Sequence, residues 1–348
     1  MSVTSTIGCP AYQGYPRNQW YVIAFSHEIS QTPLQRRIAG DLVVMFRTTD
    51  GEIVALADRC PHRGMPLSKG TVVGNAIQCG YHGFQYGKMG QCVKIPSQTA
   101  IPKLLSVRRY SVVEKWQWLW IWPGDPAKAD PSLIPNHDKL GLGAEGWYAT
   151  PACIVPMDAN YEMLHENLLD TTHITFLHKG MFDSGGTASV EPRIEYDGNV
   201  IRISREFDEV PTPSSAQVFK LREGTLYRRK LITEEYAPNL SVITNVFTDT
   251  EGKDKPHIQI ANIGVTPAGP KQCYQILAVA TNYPDNWTPE RIEHLRSVVL
   301  QDRDALGAIQ GIYEEVGPDA PEISVQADQA ALRFRRLISE MVKSEASA

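Results

Sequence analysis

Hydrophobic and polar positions change their rhythm part-way along this chain. From Trp20 to Trp122 the apolar residues fall in short runs, Leu42-Val43-Val44-Met45-Phe46, Ile53-Val54-Ala55-Leu56 and Trp118-Leu119-Trp120-Ile121-Trp122, divided by Gly-rich turns. Short apolar runs between turn signals predict strands. A stretch rich in Pro, Asp and Lys, Pro123-Gly124-Asp125-Pro126-Ala127-Lys128-Ala129-Asp130-Pro131, then reads as a linker. Beyond it, strand-like segments such as Val200-Ile201-Arg202-Ile203 and Gln275-Ile276-Leu277-Ala278-Val279 mix with helical patterns. The longest helix starts at Thr288-Pro289-Glu290, with a hydroxyl cap, a proline at the first helical position and an acid in the first turn. Ile292, Leu295, Val299, Asp302, Leu306, Ile309 and Tyr313 then recur at steps of three and four, which makes one buried stripe. The expected fold class is α+β: a small all-β domain over residues 16–123, a linker over 124–131, and a domain over 132–348 built from an antiparallel sheet with helices on one side.

Length agrees, since 348 residues imply about two domains. The net charge of −5 gives no reason to expect nucleic acid or an anionic membrane surface as partner. No apolar run approaches the ~18 residues of a membrane span. Met1-Ser2-Val3-Thr4-Ser5-Thr6 lacks a basic region followed by an apolar stretch, so a cytoplasmic location is expected. Of six cysteines, Cys9, Cys92, Cys153 and Cys273 show no framework spacing and read as reduced thiols.

The other two cysteines carry chemistry. Cys60-Pro61-His62 and Cys79-Gly80-Tyr81-His82 are two ligand-bearing loops with sixteen residues between them. Thiolates are soft charged donors and imidazole is a neutral one, so four such groups could hold one zinc or one two-iron cluster. A second constellation runs from Glu166 to Gly180. Asp170 and His173 are three apart and would share a helix face, whereas His173 and His178 are five apart, about 140° round a helix. Their rings meet only if the turn widens or the helix ends. Two ordinary histidines are the alternative. Asp302 shifts the balance, because a carboxylate on a buried stripe needs a cation or strong hydrogen bonds. A buried arginine would serve, but with His173 and His178 available a 2-His-1-carboxylate iron site accounts for all three. Asp304 falls off the stripe and reads as solvated.

The run Cys60-Pro61-His62-Arg63-Gly64 through Cys79-Gly80-Tyr81-His82-Gly83-Phe84 resembles the Rieske signature, and Asn167, Asp170, His173 and His178 match Asn-x-x-Asp-x-x-His-x-x-x-x-His in full. From Asn18-Gln19-Trp20-Tyr21 to Ala327-Asp328-Gln329-Ala330-Ala331-Leu332-Arg333-Phe334-Arg335-Arg336 the chain is similar to the terminal oxygenase components of Rieske non-haem iron oxygenases, in the vanillate O-demethylase and dicamba monooxygenase branch. The resemblance implies an N-terminal Rieske [2Fe-2S] domain and a helix-grip-like catalytic domain. It implies a cluster on Cys60, His62, Cys79 and His82, a mononuclear Fe(II) on His173, His178 and Asp302, and O2 as co-substrate. Asn167 would lie beside the iron. Asp170 would connect a Rieske histidine of a neighbouring subunit to His173, in a head-to-tail homotrimer. Two positions depart from the family: Gly80, where many relatives carry Pro, and Gln301, where Glu commonly precedes the third ligand.

Gly141-Leu142-Gly143-Ala144-Glu145-Gly146 matches Gly-x-Gly-x-x-Gly, but it follows polar residues and no helix start comes after it, so it reads as a turn. Electrons should therefore come from NAD(P)H through a separate reductase, with or without a ferredoxin. Trp116, Trp118, Trp120 and Trp122 are expected to pack as one strand face. His27, His137, His257 and His294 read as ordinary. Three activities are compatible with these motifs: O-demethylation of a methoxylated aromatic acid with formaldehyde release, ring or angular dioxygenation of an aromatic acid or diaryl ether, and non-catalytic electron transfer. Pocket residues are expected from the sheet between about Val190 and Trp287 and from the long helix. Arg193, Arg202, Arg222 and Arg228 could meet a carboxylate, though each has an ordinary surface reading.

Overall fold

Short apolar runs bounded by turns become paired strands in the first of two units, which comprises Arg17–Ile134 with residues 266–269. The computed structural model describes residues 6–8, 14–181, 183, 186–317 and 321–347; Cys9 and Met1–Ser5 lie outside the described residues. Strand β1 (Thr6–Gly8) belongs to the other unit. Strands β2 (Tyr21–Phe25), β3 (Leu34–Ile38), β4 (Asp41–Arg47), β5 (Ile53–Ala57), β10 (Arg109–Lys115) and β11 (Trp118–Trp122) form a six-stranded sheet in the order β2-β11-β10-β5-β4-β3. All five residues of β11 are buried, which is why its sequence is a continuous apolar run and not an alternation. Trp116 is not on that strand. Lys115 pairs with Trp118, so Trp116 sits in the two-residue turn at φ +55° and meets Trp118 edge-on.

A second sheet of β6 (Thr71–Val73), β7 (Ala76–Gln78), β8 (Gln85–Gly87) and β9 (Cys92–Lys94) carries the Cys/His loops. Leu67, Ile77, Phe84 and Tyr86 pack beneath them in one core with Cys60 and Cys79. The segment 124–131 is held in the same unit. Asp125 and Asp130 cap short 3-10 turns there, and Trp20 Nε1 donates to the Asp130 carbonyl at 2.8 Å.

The second unit holds 1–16, 135–265 and 270–348. Strands β12 (Tyr148–Met157), β13 (Arg193–Asp197), β14 (Val200–Glu209), β15 (Tyr227–Tyr236), β16 (Leu240–Asp249), β17 (His257–Gly269) and β18 (Gln272–Thr281) form one sheet, ordered β12-β18-β17-β16-β15-β14-β13. The helices are α1 (Tyr161–Leu169), α2 (His173–Phe176), α3 (Pro213–Phe219), α4 (Pro289–Val316) and α5 (Gln329–Ala346), and β1 pairs antiparallel with β19 (Pro321–Ile323). Thr288 caps α4 by accepting from Arg291 N–H. Val299, Asp302 and Leu306 are buried as the stripe predicts, but Ile309 is exposed, so only the middle of the helix is covered on that face. Asp304 is solvated beside Arg303. Helix α4 packs on β12, and α1 on α5. Gly141 ends a 3-10 turn over His137–Leu140, so the Gly-x-Gly-x-x-Gly segment is a turn. Among the described residues no helix is long and apolar enough to cross a membrane.

Candidate functional site

The two Cys/His loops are built alike. Cys60 N–H donates to Met65 C=O and Gly64 N–H to Cys60 C=O; Cys79 N–H donates to Phe84 C=O and Gly83 N–H to Cys79 C=O. Gly64 (φ +78°) and Gly83 (φ +71°) turn the chain back in the left-handed region that other residues avoid. Gly80 is locally constrained: a Cβ there would lie 2.8 Å from the Lys69 carbonyl oxygen. Both cysteines are buried, and the rings of His62 and His82 lie 4.7 Å apart at the outer side. His62 stacks on Phe84, and the Tyr86 hydroxyl is 3.2 Å from Cys60 Sγ.

Burial first, and then the neighbouring Cys60, holds the Cys79 thiol above its ordinary pKa, so ionising the pair needs a cation close by. The His62 Nδ1 is buried with no hydrogen-bond partner. A buried lone pair beside two buried thiols is the donor set a two-iron cluster takes, and the orphaned nitrogen is satisfied once it binds metal.

In the second unit, the expected single helix carrying both Asp170 and His173 is broken. Asn160 caps α1, and α1 stops at Leu169 because Asp170 adopts φ −99°, ψ 91° and its Oδ1 accepts from Thr172 N–H at 3.0 Å. This local side-chain bond competes with the helix ladder, and the chain resumes only as the single turn α2. Asp170 and His173 therefore do not share a helix face. Helix α2 itself ends at Phe176, between the two histidines, and that ending supplies what five-residue spacing on a regular helix could not: the His173 and His178 rings come within 5.1 Å.

Hydrogen bonds fix which ring nitrogens carry the protons. His173 Nδ1 meets the Asp170 backbone carbonyl at 2.6 Å, and His178 Nδ1 meets Gln301 Oε1 at 2.7 Å. Both partners are acceptors, so each Nδ1 carries the proton and each Nε2 keeps its lone pair. The two Nε2 atoms face Asp302 Oδ1 at 3.5 and 3.2 Å. Asn167 Nδ2 donates to the same oxygen at 3.3 Å. One ligand atom from each of His173, His178 and Asp302 lies within 4.8 Å of the others. Among the described residues no arginine or lysine pairs with Asp302, so the salt-bridge alternative for its burial has no partner. Burial lowers the His173 pKa even against Asp302, whereas for His178 the bonds to Asp302 and Gln301 outweigh burial and raise it. Two imidazoles and one carboxylate on one side of a cavity form a set that can hold a divalent metal and leave positions open.

That cavity is lined by His173, His178 and Asp302 together with the inner face of the sheet. The strand residues on its wall are odd-numbered, as a two-residue period requires: Arg229 and Leu231 from β15, Asn245 from β16, Gln259 from β17, Gln275 and Leu277 from β18. The expected source of the pocket, sheet plus long helix, is the observed one. Its polar members were not anticipated. Arg193, Arg202, Arg222 and Arg228 pair with carboxylates outside the cavity, among them the buried Asp249 beside Arg222. The arginine inside is Arg229, one position from Arg228 and on the opposite face of the pleat. His294, expected to be ordinary, also lines the cavity from α4. Strand parity could have found Arg229; nothing in the sequence distinguished His294.

Matches to known proteins run along nearly the whole chain. Residues 19–110 match the Rieske [2Fe-2S] domain, and residues 157–344 match the vanillate O-demethylase oxygenase C-terminal domain. The oxygenase component of dicamba O-demethylase from Stenotrophomonas maltophilia is 31% identical, over 96% of this chain and 99% of that protein. The iron-sulfur subunit of the toluene-4-sulfonate monooxygenase system of Comamonas testosteroni is 31% identical, over 94% and 97%. Crystalline dicamba monooxygenase bound to 3,6-dichlorosalicylic acid superimposes with a TM-score of 0.87 at 28% identity, covering 96% of this chain and all of that one. With both domains matched in order, the chain belongs to the Rieske oxygenases that carry a vanillate O-demethylase-type C-terminal domain, and is the oxygenase component of a multicomponent monooxygenase system.

Proposed function

We propose that this oxygenase O-demethylates a methoxylated aromatic acid. In this reading, residues 16–123 carry the [2Fe-2S] cluster, with Cys60 and Cys79 on one iron and His62 and His82 on the other. Residues 132–348 carry the mononuclear iron on His173, His178 and Asp302. When bound, the two groups supply electrons and activate dioxygen. The observation that carries the proposal is the joining of the His/His/Asp set to an otherwise largely apolar cavity, in a chain whose relatives include dicamba O-demethylase.

The chain's own residues position and insulate. Gln301 and the Asp170 carbonyl hold the two imidazoles so that their Nε2 atoms converge, and Asn167 steadies the Asp302 carboxylate. The apolar walls exclude water from the substrate's reacting methyl group. Overall, one methyl C–H becomes C–OH and the hemiacetal collapses to a phenol and formaldehyde. The second oxygen atom leaves as water, with two electrons from NAD(P)H delivered by a reductase. A cytoplasmic location, where that donor is available, fits the scheme. Asp170 is assigned the link between a neighbouring subunit's cluster and His173, in a homotrimer.

Purified protein is assayed for iron and acid-labile sulfide and then given methoxybenzoates, NADH and a reductase. About three irons and two sulfides per chain with formaldehyde release is the expected result. A cis-diol or phenol without formaldehyde would favour dioxygenation. Two irons with no third would leave an electron carrier.

A further inference from the structure

Four residues, Val218, Gln259, His294 and Leu295, line both the metal-side cavity and a second, outer cavity bordered by Trp287 and Arg291. They form a neck between the two, and two of them are polar. Gln259 is 7% exposed, and its Nε2 has no hydrogen-bond partner; the buried His294 Nε2 has none either. The Gln259 amide faces the Tyr283 hydroxyl, but that oxygen too lacks a partner in hydrogen-bonding geometry. A buried polar group left without a hydrogen bond is costly, and here two such groups belong to residues that line one passage. A ligand in the neck would satisfy both.

Arg229 does not compete for this role. Its guanidinium is buried between Asp183 (3.5 Å) and Glu209 (3.4 Å), and Nε and Nη2 both donate to Asn245 Oδ1. Two carboxylates already outweigh its charge, so it offers little to a third. Burial, and then the Arg291 charge, keeps the His294 imidazole below its ordinary pKa, which makes it a neutral partner. The neck therefore presents two neutral groups and no unpaired cation.

Position along α4 sets the size of what fits. His294 and Asp302 are eight residues apart on α4, roughly 12 Å along the axis. That span suits one substituted ring with its reacting group, and is short for a diaryl substrate.

We propose that Gln259 and His294 are the specificity-determining pair of this oxygenase, donating hydrogen bonds to an acceptor oxygen on the ring of a single-ring aromatic substrate, at the end opposite the carbon that is oxidised. The inference rests on the demethylase reading for its choice of probes. Carboxylate and carboxamide share the required oxygen, and the experiment separates them.

Wild type, Gln259→Leu, Gln259→Glu and His294→Phe are compared as iron-loaded enzymes with reductase, using 4-methoxybenzoate, 4-methoxybenzamide and 4-methoxytoluene. Wild type should prefer the two acyl substrates over 4-methoxytoluene by about tenfold or more in kcat/KM, the worth of one good hydrogen bond to a buried acceptor. Gln259→Leu and His294→Phe should bring that ratio near one through KM, with kcat and iron content little changed. Gln259→Glu should lose the benzoate more than the benzamide. Calorimetric binding of 4-methoxybenzoate without reductase should weaken about tenfold in Gln259→Leu and His294→Phe, the same increment. Unchanged ratios and unchanged binding in folded, iron-loaded variants overturn the pair, as does a wild type that binds none of the three. If wild type binds 4-methoxybenzoate and the variants do not, yet no formaldehyde forms, the pair stands and the demethylase reading fails.

Discussion

Gln301 and His178 are joined by a 2.7 Å hydrogen bond, Gln301 Oε1 accepting from the imidazole Nδ1, while the next residue of α4 turns its carboxylate to the other nitrogen of the same ring. Neighbouring positions 301 and 302 thus grip one histidine from two sides. A neutral amide orients the ring here, and it leaves His178 less basic than a Glu would. Gln301→Leu should reduce iron affinity about 10–100-fold, because the ring loses its orienting acceptor and buries an unsatisfied N–H. Gln301→Glu should retain iron at least as well as wild type. Competition with a chelator measures both; a leucine variant that holds iron like wild type would remove Gln301 from the site.

Asp170 touches His173 through its backbone carbonyl, not its carboxylate. The carboxylate bonds Thr172 N–H and is otherwise available for another partner. Asp170→Asn keeps an oxygen for Thr172 and leaves the carbonyl untouched, so both metals should remain bound while turnover nearly stops. Metal analysis and single-turnover kinetics on the same sample decide it. Normal product formation would remove the assigned link between subunits.

What the sequence revealed, and what it hid, follows from how locally each feature is encoded. The Cys/His loops are legible because each ligand pair lies within four residues, and the β11 run because a strand buried on both faces needs no partner to be recognised. Asp302 is legible because helical periodicity is regular across α4. The break at Asp170 is not, since Asn167 to His178 is compatible with a continuous helix until one side chain captures the Thr172 amide. Ile309 sits on the apolar stripe and is still exposed, because the pattern does not say where a helix runs out of neighbours. Gln259 and His294 line the same cavities from strand and helix, and no local pattern places them there.

Arg229 holds two buried acids and receives the faces of Phe207, Phe219 and Phe247 at 5.2–5.7 Å. Asp183 also accepts from Thr175, which lies between the two metal-side histidines, and from Thr187. Arg229→Met would strand Asp183 and Glu209 without a cation and should destabilise the fold by about 3–5 kcal/mol, the usual result of breaking a buried pair from one side. Arg228→Ala, one residue away on the solvent face, should leave the unfolding transition almost where it was. Chemical denaturation of the two variants makes the comparison, and equal midpoints would contradict the buried role.

Glu162, in the first turn of α1, makes stability depend on pH. Burial first, and then the neighbouring Glu166, pushes its carboxyl up to about 8 against the pull of Arg335, and its Oε1 has no hydrogen-bond partner. In the unfolded chain the group titrates at its ordinary value, near 4.5. Between those values the folded protein holds a proton that the unfolded chain has released. The contribution is therefore fully present below the unfolded pKa and is lost as pH rises through about 8, at up to about 1.4 kcal/mol per pH unit. Glu162→Gln keeps a neutral side chain of the same shape at every pH. Variant and wild type should unfold alike near pH 5, and the variant should be the more stable by a few kcal/mol near pH 9. Urea unfolding at the two pH values tests this. A difference that stays constant with pH would mean that Glu162 ionises in the folded protein as it does in the unfolded chain, with its charge compensated at the α1 N-terminus or by Arg335.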